Sequence, residues 1–206
     1  MYINCHSYYS LRYGTLSVER LSELAAAAGV GRLVLTDINN TTGVPDFVRE
    51  CRSRNITPAA GIEFRDGNRL LYIGIARNNE GFRELNEFLT HHNITGEPLP
   101  LRPPSFPNVY IIYPAGGGVN GNTITSPALR DNEYLGIRPA AAGRLLSATR
   151  GELSKYVVLQ PVTMESPADY PVHRSLRAVD NNMLLSRLTP EMTAPPDEFI
   201  VPEEAV

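Results

Sequence analysis

Short runs of apolar, largely β-branched residues alternate along this chain with segments of helical periodicity. Seven runs are predicted as strands: 2–5, 32–37, 57–64, 69–76, 108–113, 133–137 and 155–159. One helical segment begins after Ser17, which is a plausible N-cap. Four more cover 45–53, 79–93, 139–148 and 168–181. This alternation predicts an α/β fold with a mainly parallel sheet. Asp66-Gly67 separates the third and fourth runs and predicts a local β-hairpin, so one antiparallel pair interrupts the pattern.

Composition excludes several classes of protein. The chain has 206 residues, is 42% hydrophobic and has a net charge of −3, as expected for a soluble globular domain. Its longest nearly apolar run, 24–31, is too short to cross a membrane, and the N-terminus lacks the order of a signal peptide. We therefore expect a cytoplasmic protein with no membrane contact. The basic residues form no stripe, which argues against independent binding of nucleic acid.

The predicted elements fill most of the chain and indicate one domain. We expect residues 1–188 to form it and residues 189–206 to be a polar, Pro-rich C-terminal tail or the start of a linker to a following domain. Val172, Leu176 and Val179 recur at helical spacing, so we expect them to be the buried stripe of the last helix. The segment 95–107 contains five prolines and is predicted to be a surface connection.

Four stretches carry a resemblance to a known family. They are Asn-Cys-His-Ser-Tyr-Tyr-Ser-Leu-Arg-Tyr-Gly-Thr-Leu-Ser (4–17), Leu-Thr-Asp-Ile-Asn-Asn (35–40), Gly-Ile-Glu-Phe (61–64) and Ile-Ala-Arg-Asn-Asn-Glu-Gly-Phe-Arg-Glu-Leu (75–85). Together they resemble the PHP (polymerase and histidinol phosphatase) domain of bacterial DNA polymerase III alpha subunits. The resemblance implies a distorted, TIM-like (β/α)7 barrel with a cleft at the carboxyl ends of its strands. In active members that cleft holds up to three divalent metals and hydrolyses phosphoesters.

The resemblance also implies which residues would hold metal. His6, Asp37 and Glu63 match ligands of the family and are the remaining metal candidates. At the other positions the family's ligands are replaced by Asn4, Tyr13, Ile38, Leu71, Pro161 and Thr163, which we expect to line the cleft. Moreover, the sequence contains neither His nor Cys between His92 and His173. We therefore expect no cofactor, or at most one weakly bound Mg²⁺, Mn²⁺ or Zn²⁺.

These observations leave three hypotheses for function. The first is a catalytically inactive structural or interaction module of a DNA polymerase III alpha-like chain. Its partners would be the rest of that chain or other replication proteins, and its contact with DNA would be indirect. The second is a residual metal-dependent phosphoesterase or 3′–5′ exonuclease using His6, Asp37 and Glu63. The third is a free-standing binding protein whose uncharged pocket is lined by Asn4, Tyr13, Ile38 and Leu71.

Other residues with chemical potential have structural interpretations. The glycine-rich segment 115–122 lacks the order of a phosphate-binding loop and is predicted to be a mobile connection. His91 and His92 fall in the last turn of a helix, where an imidazole can meet free carbonyl groups. We expect His173 to be a partly exposed helical residue and Cys51 to be inert. Tyr8, Tyr9 and Tyr13 cluster in the loop after the first strand, and we expect them to pack against a neighbouring domain rather than to stack on a nucleic-acid base.

Overall fold

The computed structural model describes residues 1–115, 129–145 and 149–201. Within them, eight strand segments form one sheet. The strands are β1 (Tyr2–Cys5), β2 (Arg32–Leu35), β3 (Thr57–Asp66), β4 (Arg69–Ala76), β5 (Val109–Pro114), β6 (Glu133–Ile137), β7 (Tyr156–Val158) and β8 (Pro161–Val162). The α-helices are α1 (Val18–Ala27), α2 (Val44–Ser53), α3 (Asn79–Thr95), α4 (Arg150–Leu153) and α5 (Tyr170–Asp180). Short 3₁₀ helices cover Pro139–Leu145, Pro167–Asp169, Leu185–Arg187 and Pro190–Met192.

The order of the strands shows that the sheet curls on itself. That order is β7-β6-β5-β4-β3-β2-β1-β8, so β7 and β8 are the two edges. Only two residues separate these edges in the chain, which limits the distance between the α-carbons of Val158 and Pro161 to about 11 Å. If β7 and β8 are taken as one bent strand, the sheet has the seven strands predicted from the sequence. The predicted distorted barrel is thereby confirmed.

The predicted hairpin is also present. β3 pairs antiparallel with β4, and β4 pairs antiparallel with β5, whereas the other neighbours in the sheet are parallel. Gly67 has a φ of 55° in the turn between β3 and β4. A positive φ favours glycine because it has no side chain to clash with the backbone. The Asp66-Gly67 signal therefore locates the first antiparallel pair, whereas the second, between β4 and β5, was not predicted from the sequence.

Helix ends follow the capping residues that the sequence provides. Ser17 accepts a hydrogen bond from the backbone amide of Arg20 at 3.0 Å, as predicted for the N-cap of α1. Asn78 caps α3 in the same way by accepting from the amide of Gly81 at 2.9 Å. α3 then ends at Gly96, which has a φ of 71°. These caps satisfy amide groups that a helix leaves without intrahelical partners.

Apolar side chains fill both faces of the curled sheet. Val34 of β2, Ile73 and Ile75 of β4, Ile112 of β5 and Leu159 just after β7 form one buried cluster. On the helix side, one larger cluster joins α1 and α2 to β1 and β2, and another joins α3 to β3, β4 and β5. Strands buried on both faces are expected to be nearly continuous in apolar residues, as the sequence of β2 and β4 is.

The sequence prediction fails for the orientation of α5. Val172 and Val179 are 54% and 65% exposed and Leu176 is half-buried, whereas His173, Arg177 and Ala178 are the buried residues of this helix. His173 is fully buried rather than partly exposed: the backbone amide of Ala194 donates to its Nε2 at 2.8 Å, and its Nδ1 lies 2.8 Å from the carbonyl oxygen of Tyr13. These polar contacts fix the inward face of α5, which apolar periodicity cannot predict.

Two further segments differ from their sequence-based interpretation. The helix expected over 139–148 is a 3₁₀ helix at Pro139–Leu145, where Gly143 lowers the propensity for α-helix, and the glycine-rich segment lies outside the described residues beyond Ala115. The described part of the expected tail, 189–201, packs on the barrel. Ala194, Glu198 and Ile200 are buried there, and the amides of Thr163 and Met164 both donate to the carbonyl oxygen of Glu198.

Gly81 provides a test of the packing of α3 on β5. A β-carbon at this position would lie 2.0 Å from the carbonyl oxygen of Asn108, just before β5. We expect Gly81→Ala to lower the free energy of unfolding by about 1–3 kcal/mol, because backbone cannot move aside cheaply. Gly31→Ala is the control, since nothing lies within 4 Å of its β-carbon position. Urea denaturation of both variants measures the difference, and equal losses would show that the close approach is unimportant.

His173 provides a test of pH dependence. Burial lowers the pKa of His173 to about 4, even though the contact with the Tyr13 carbonyl opposes this shift. The folded pKa lies below the unfolded value of about 6.5, so the unfolded state binds the proton first on acidification. We expect the resulting stability to be complete above pH 6.5 and to fall by up to about 3 kcal/mol as the pH approaches 4.

The measurement is the free energy of unfolding between pH 7.5 and 4 for the wild type and His173→Gln. The variant should be less stable at neutral pH but should lose less stability on acidification. His91→Gln is the control because His91 is 56% exposed. Parallel acid profiles for the wild type and His173→Gln would contradict the assignment of a neutral, buried His173.

Candidate functional site

A cluster of polar side chains lies where β1, β2 and β3 bring their carboxyl-terminal halves together. Asn4 and His6 belong to β1 and the residue just after it, Asp37 follows β2, and Glu63 lies within β3. All are buried, with 1% exposure each. The parallel pairing of the three strands explains this convergence, since the same ends of parallel strands meet at one edge.

Glu63 is the centre of the cluster. Its Oε2 accepts a hydrogen bond from Asn4 Nδ2 at 2.9 Å and lies 3.0 Å from His6 Nε2, while Oε1 accepts from Arg65 Nε at 2.5 Å. Burial alone raises the pKa of Glu63, but the positive charge of Arg65 and the contacts with His6 and Asn4 outweigh it. The pKa of Glu63 therefore lies well below its usual range, and both of its oxygens are engaged by the protein.

Arg65 is held on its other side by Tyr13. The Tyr13 hydroxyl accepts from Arg65 Nη2 at 3.0 Å, and the Arg65 guanidinium carbon lies 4.3 Å from the centre of the Tyr13 ring. Tyr13 also makes edge contacts with the rings of His6 at 5.3 Å and His173 at 4.9 Å. Burial is the main cause of a raised pKa at Tyr13, so its hydroxyl stays neutral. Tyr13 thus packs beside the cluster and fixes the cation in place.

Asp37 serves the loop that follows β1. Its Oδ1 accepts from the Ser7 amide and the Ser10 hydroxyl, both at 2.7 Å, and its Oδ2 accepts from the Ser7 hydroxyl at 2.8 Å. Ser10 Oγ also accepts from the Ile38 amide at 3.0 Å. Three donors from one loop therefore occupy the carboxylate, which gives Asp37 a structural task.

Thr163 extends the cluster beyond His6. His6 Nδ1 lies 2.9 Å from Thr163 Oγ1, and the Thr163 hydroxyl donates to Glu198 Oε2 at 2.5 Å. Glu198 Oε1 in turn accepts from Arg138 Nη1 at 2.7 Å. An unbroken line of polar contacts therefore runs from Arg65 through Glu63, His6 and Thr163 to Glu198 and Arg138.

Three members of this line escaped sequence reasoning. Arg65 could have been found, because it lies two residues after Glu63 on a strand and such residues share a face. Arg138 and Glu198 gave no signal: Arg138 follows a strand in an otherwise ordinary segment, and Glu198 falls in the residues interpreted as a tail. Both reach the site only through the folded arrangement of segments distant in the chain.

A cavity of about 390 Å³ adjoins the cluster. Its polar lining includes Asn4, His6, Glu63, Arg65, Arg138 and Glu198. Pro161 and apolar side chains that include Leu70, Ile137, Leu145 and Leu159 also line it.

The structure corrects the assignment of Leu71 to the cleft. Leu71 packs instead with Ile62, Phe64 and Leu85 on the side of α3, and Leu70 lines the cavity. Phe64 pairs with Tyr72 and Arg65 with Leu70, so Leu71 is an extra residue on β4 that shifts the alternation of side chains along that strand. A prediction that assumes regular alternation therefore selects Leu71, whereas Leu70 faces the cavity.

Tyr13 and Ile38 also lie away from the cavity. Both pack with Met164 and Ala194 in a separate cluster. Of the four residues expected to line an uncharged pocket, the structure brings only Asn4 to the cavity. Thr163 is buried behind His6, where it links that side chain to Glu198.

The remaining candidates have local roles. Cys51 is fully buried in the cluster beneath α2, and burial raises the pKa of its thiol to about 12. His92 Nδ1 lies 3.0 Å from the carbonyl oxygen of Glu97 just beyond α3, and His91 lies 3.2 Å from the Glu97 carboxylate. The Tyr8 and Tyr9 rings pack on each other at 4.6 Å.

Two absences hold for residues 1–115, 129–145 and 149–201. There, no three His, Cys, Asp or Glu side chains are grouped in a way that could hold a metal ion. In the same ranges, no helix has the length and apolar character needed to cross a membrane.

Comparison with known proteins relates the chain to polymerases. It is 36% identical to the DNA polymerase III subunit alpha of Ureaplasma parvum over 83 residues, which cover 40% of this chain and 8% of that subunit. It is 33% identical to the corresponding subunit of Staphylococcus aureus over 87 residues, 41% of this chain and 8% of that one. The matched residues are thus a small part of these curated relatives.

A solved structure gives a more distant likeness. An amidohydrolase from Chromobacterium violaceum, with bound sulfate and no metal, is 20% identical with a TM-score of 0.34. The similarity covers 46% of this chain and 34% of that enzyme.

The family model of the PHP domain matches residues 3–110, which is more than half of the 206 residues. This range contains β1 to β4 and the cluster around Glu63. The chain belongs to the PHP domain family.

Proposed function

We propose that this chain is the PHP domain of a DNA polymerase III alpha-like protein and acts as a catalytically inactive structural module. The observation that carries this proposal is the buried ion pair between the Glu63 carboxylate and the Arg65 guanidinium. The family uses this carboxylate to bind metal, and here a guanidinium from the same strand binds it instead. Arginine stays protonated at all relevant pH values, so its positive charge is permanent.

The donor set fits a metal ion poorly for electrostatic reasons. A divalent cation about 5 Å from the Arg65 guanidinium would be repelled by about 7 kcal/mol at an effective dielectric constant of 20. Asp37 offers no compensation while three donors from the Ser7–Ser10 loop occupy its oxygens. A bound metal would therefore have to displace Arg65 and disrupt that loop. We infer that the protein folds and works without a resident metal.

The similarity to alpha subunits supports a role in DNA replication or repair synthesis. Polymerase activity, replication partners and a cytoplasmic location are proposed for the whole alpha-like protein and not for this domain alone. The matched residues make up only 8% of the relatives' length. Within such a protein the barrel would contact the remainder of the polymerase chain or other replication proteins. Its net charge of −3 favours contact with protein over direct contact with DNA.

The rival function is a residual metal-dependent phosphoesterase or 3′–5′ exonuclease. One observation favours it, namely that His6 and Glu63 do line a cavity of about 390 Å³. It requires a metal ion, so both functions can be distinguished by metal binding.

Chelation tests the absence of a resident metal. We expect EDTA to change the melting temperature by less than about 1 °C, compared with the roughly 2–4 °C that 1 kcal/mol is worth in a chain of this size. Added Mn²⁺ or Zn²⁺ should give no saturable rise. Differential scanning calorimetry with elemental analysis makes the measurement. One equivalent of metal with a melting temperature several degrees lower in EDTA, and hydrolysis of a phosphodiester, would establish the rival function.

Arg65→Gln tests the ion pair itself. Removing the cation leaves Glu63 buried and uncompensated, so we expect a loss of about 3–5 kcal/mol in the free energy of unfolding. The control is Arg83→Gln, which breaks two exposed pairs, with Glu80 and Glu87, and should cost less than about 1 kcal/mol.

The double variant Arg65→Gln/Glu63→Gln should be more stable than Arg65→Gln, because no buried charge remains without a partner. Urea denaturation of the wild type, Arg65→Gln, Glu63→Gln and the double variant gives the coupling free energy between the two side chains. Additive losses would show that the pair is not the interaction that holds the site together.

A further inference from the structure

Two of the three apolar residues in the predicted stripe of α5 are exposed, and the third, Leu176, is half-buried. Val172 is 54% exposed and Val179 is 65% exposed, while polar His173 and Arg177 are the buried side chains. Beyond the helix, Leu184 and Leu185 are 67% and 47% exposed. These four residues, Val172, Val179, Leu184 and Leu185, form what we call the outer face of α5. Exposed apolar groups that cluster in this way are typical of interaction sites.

The outer face of α5 includes a groove. After α5, Asn182 takes a φ of 49° and turns the chain, and the Met183 amide donates to the carbonyl oxygen of Ala178 at 3.0 Å. The chain then runs back beside the helix as the 3₁₀ helix Leu185–Arg187. Between the two lies a groove of about 760 Å³, lined by residues that include Ala178, Val179, Met183, Leu184 and Leu185.

The charges beside this groove are positive. Arg187 lines it, and Arg174 Nη2 donates to the carbonyl oxygen of Leu185 at 2.9 Å. Neither arginine forms an ion pair with a carboxylate in the described ranges 1–115, 129–145 and 149–201. Asp180, the acidic residue at the end of α5, is already paired with Arg177 at 2.6 Å and with Arg12 at 3.5 Å. The groove therefore suits an apolar partner that carries carboxylates.

We propose that the outer face of α5 docks an amphipathic helix with carboxylates beside its apolar stripe, supplied by a DNA polymerase III alpha-type chain. This inference rests on the proposed function, and the relatives show that most of such a chain lies outside the matched residues. A helix laid in an apolar groove is a common mode of recognition. A second copy of this chain fits less well, because a two-fold contact would bring Arg174 and Arg187 close to their own equivalents.

Two designed peptides test the chemistry of the partner. Both are helices of about 18 residues, or five turns, with the same leucine stripe, flanked in one by Glu and in the other by Lys. Fluorescence anisotropy measures their binding to the full 206-residue protein. We expect the Glu peptide to bind about tenfold more tightly, because its carboxylates pair with Arg174 and Arg187, whereas these arginines repel the lysines of the other peptide. Added salt should narrow this difference.

Variants locate the binding site. Val179→Asp and Leu184→Asp should each weaken binding of the Glu peptide about tenfold or more. Arg187→Glu should shift the preference toward the Lys peptide. Val158→Asp is the matched control, because Val158 is 62% exposed on β7 and lies outside the groove. Circular dichroism establishes that each variant is folded.

Several outcomes would overturn the proposal. They are equal affinity for both peptides, no saturation with either up to about 1 mM, or an equal loss in Val158→Asp. A concentration-dependent dimer that Val179→Asp abolishes would make a second copy the occupant. Failure here is separate from failure of the proposed function, because a protein that binds metal and hydrolyses phosphodiesters could still bind the Glu peptide.

Discussion

The contact between Glu63 and Arg65 is the interaction on which the candidate site depends. A carboxylate with 1% exposure would be strongly destabilising unless a charge compensated it, and Arg65 supplies that charge from two residues away on the same chain. The remaining Glu63 oxygen then orders Asn4 and His6 on β1. Through His6 the same charge organises Thr163, just after β8, and Glu198 beyond α5. The polar contacts that begin at this ion pair thus connect segments near both ends of the chain.

Under the proposed function, this arrangement would make the cleft part of the protein's framework in place of a metal site. A metal ion crosslinks strands by accepting electron pairs from several side chains. In this chain hydrogen bonds and ion pairs join the same strands, with Arg65 on one side and Arg138 on the other. Asp37 is also engaged within the protein, since its oxygens accept hydrogen bonds from the loop after β1. The buried positions stay polar, but each polar group has a partner within the protein.

Local signals in the sequence predicted most of the fold, and long-range contacts explain what they missed. Ser17 and Asp66-Gly67 act on neighbouring residues, so their effects could be predicted. The convergence of His6 and Glu63 followed from parallel strands. In contrast, the burial of Glu198 depends on Thr163 and Arg138, which no periodicity reveals. The orientation of α5 depends on the backbone groups of Tyr13 and Ala194 that receive His173. The sequence predicted Leu71 in the cleft, where the structure has Leu70. A pattern of period two cannot show where a β-bulge adds a residue to a strand.

The pairing of β1 with β8 has a consequence for the newly made chain. His6 and Thr163, which this pairing brings together, are 157 positions apart, so closing the sheet joins its first strand to one of its last. On the ribosome, which adds about 5–20 residues per second, one edge of β1 would wait roughly ten to thirty seconds for its partner. During that time the nascent chain exposes unpaired backbone amides and carbonyls of β1. The Glu63 carboxylate also lacks the contacts that later segments contribute to its site. Such an edge invites wrong pairing, so protection by a chaperone or by slow release from the exit tunnel would matter most for the N-terminal third of this protein.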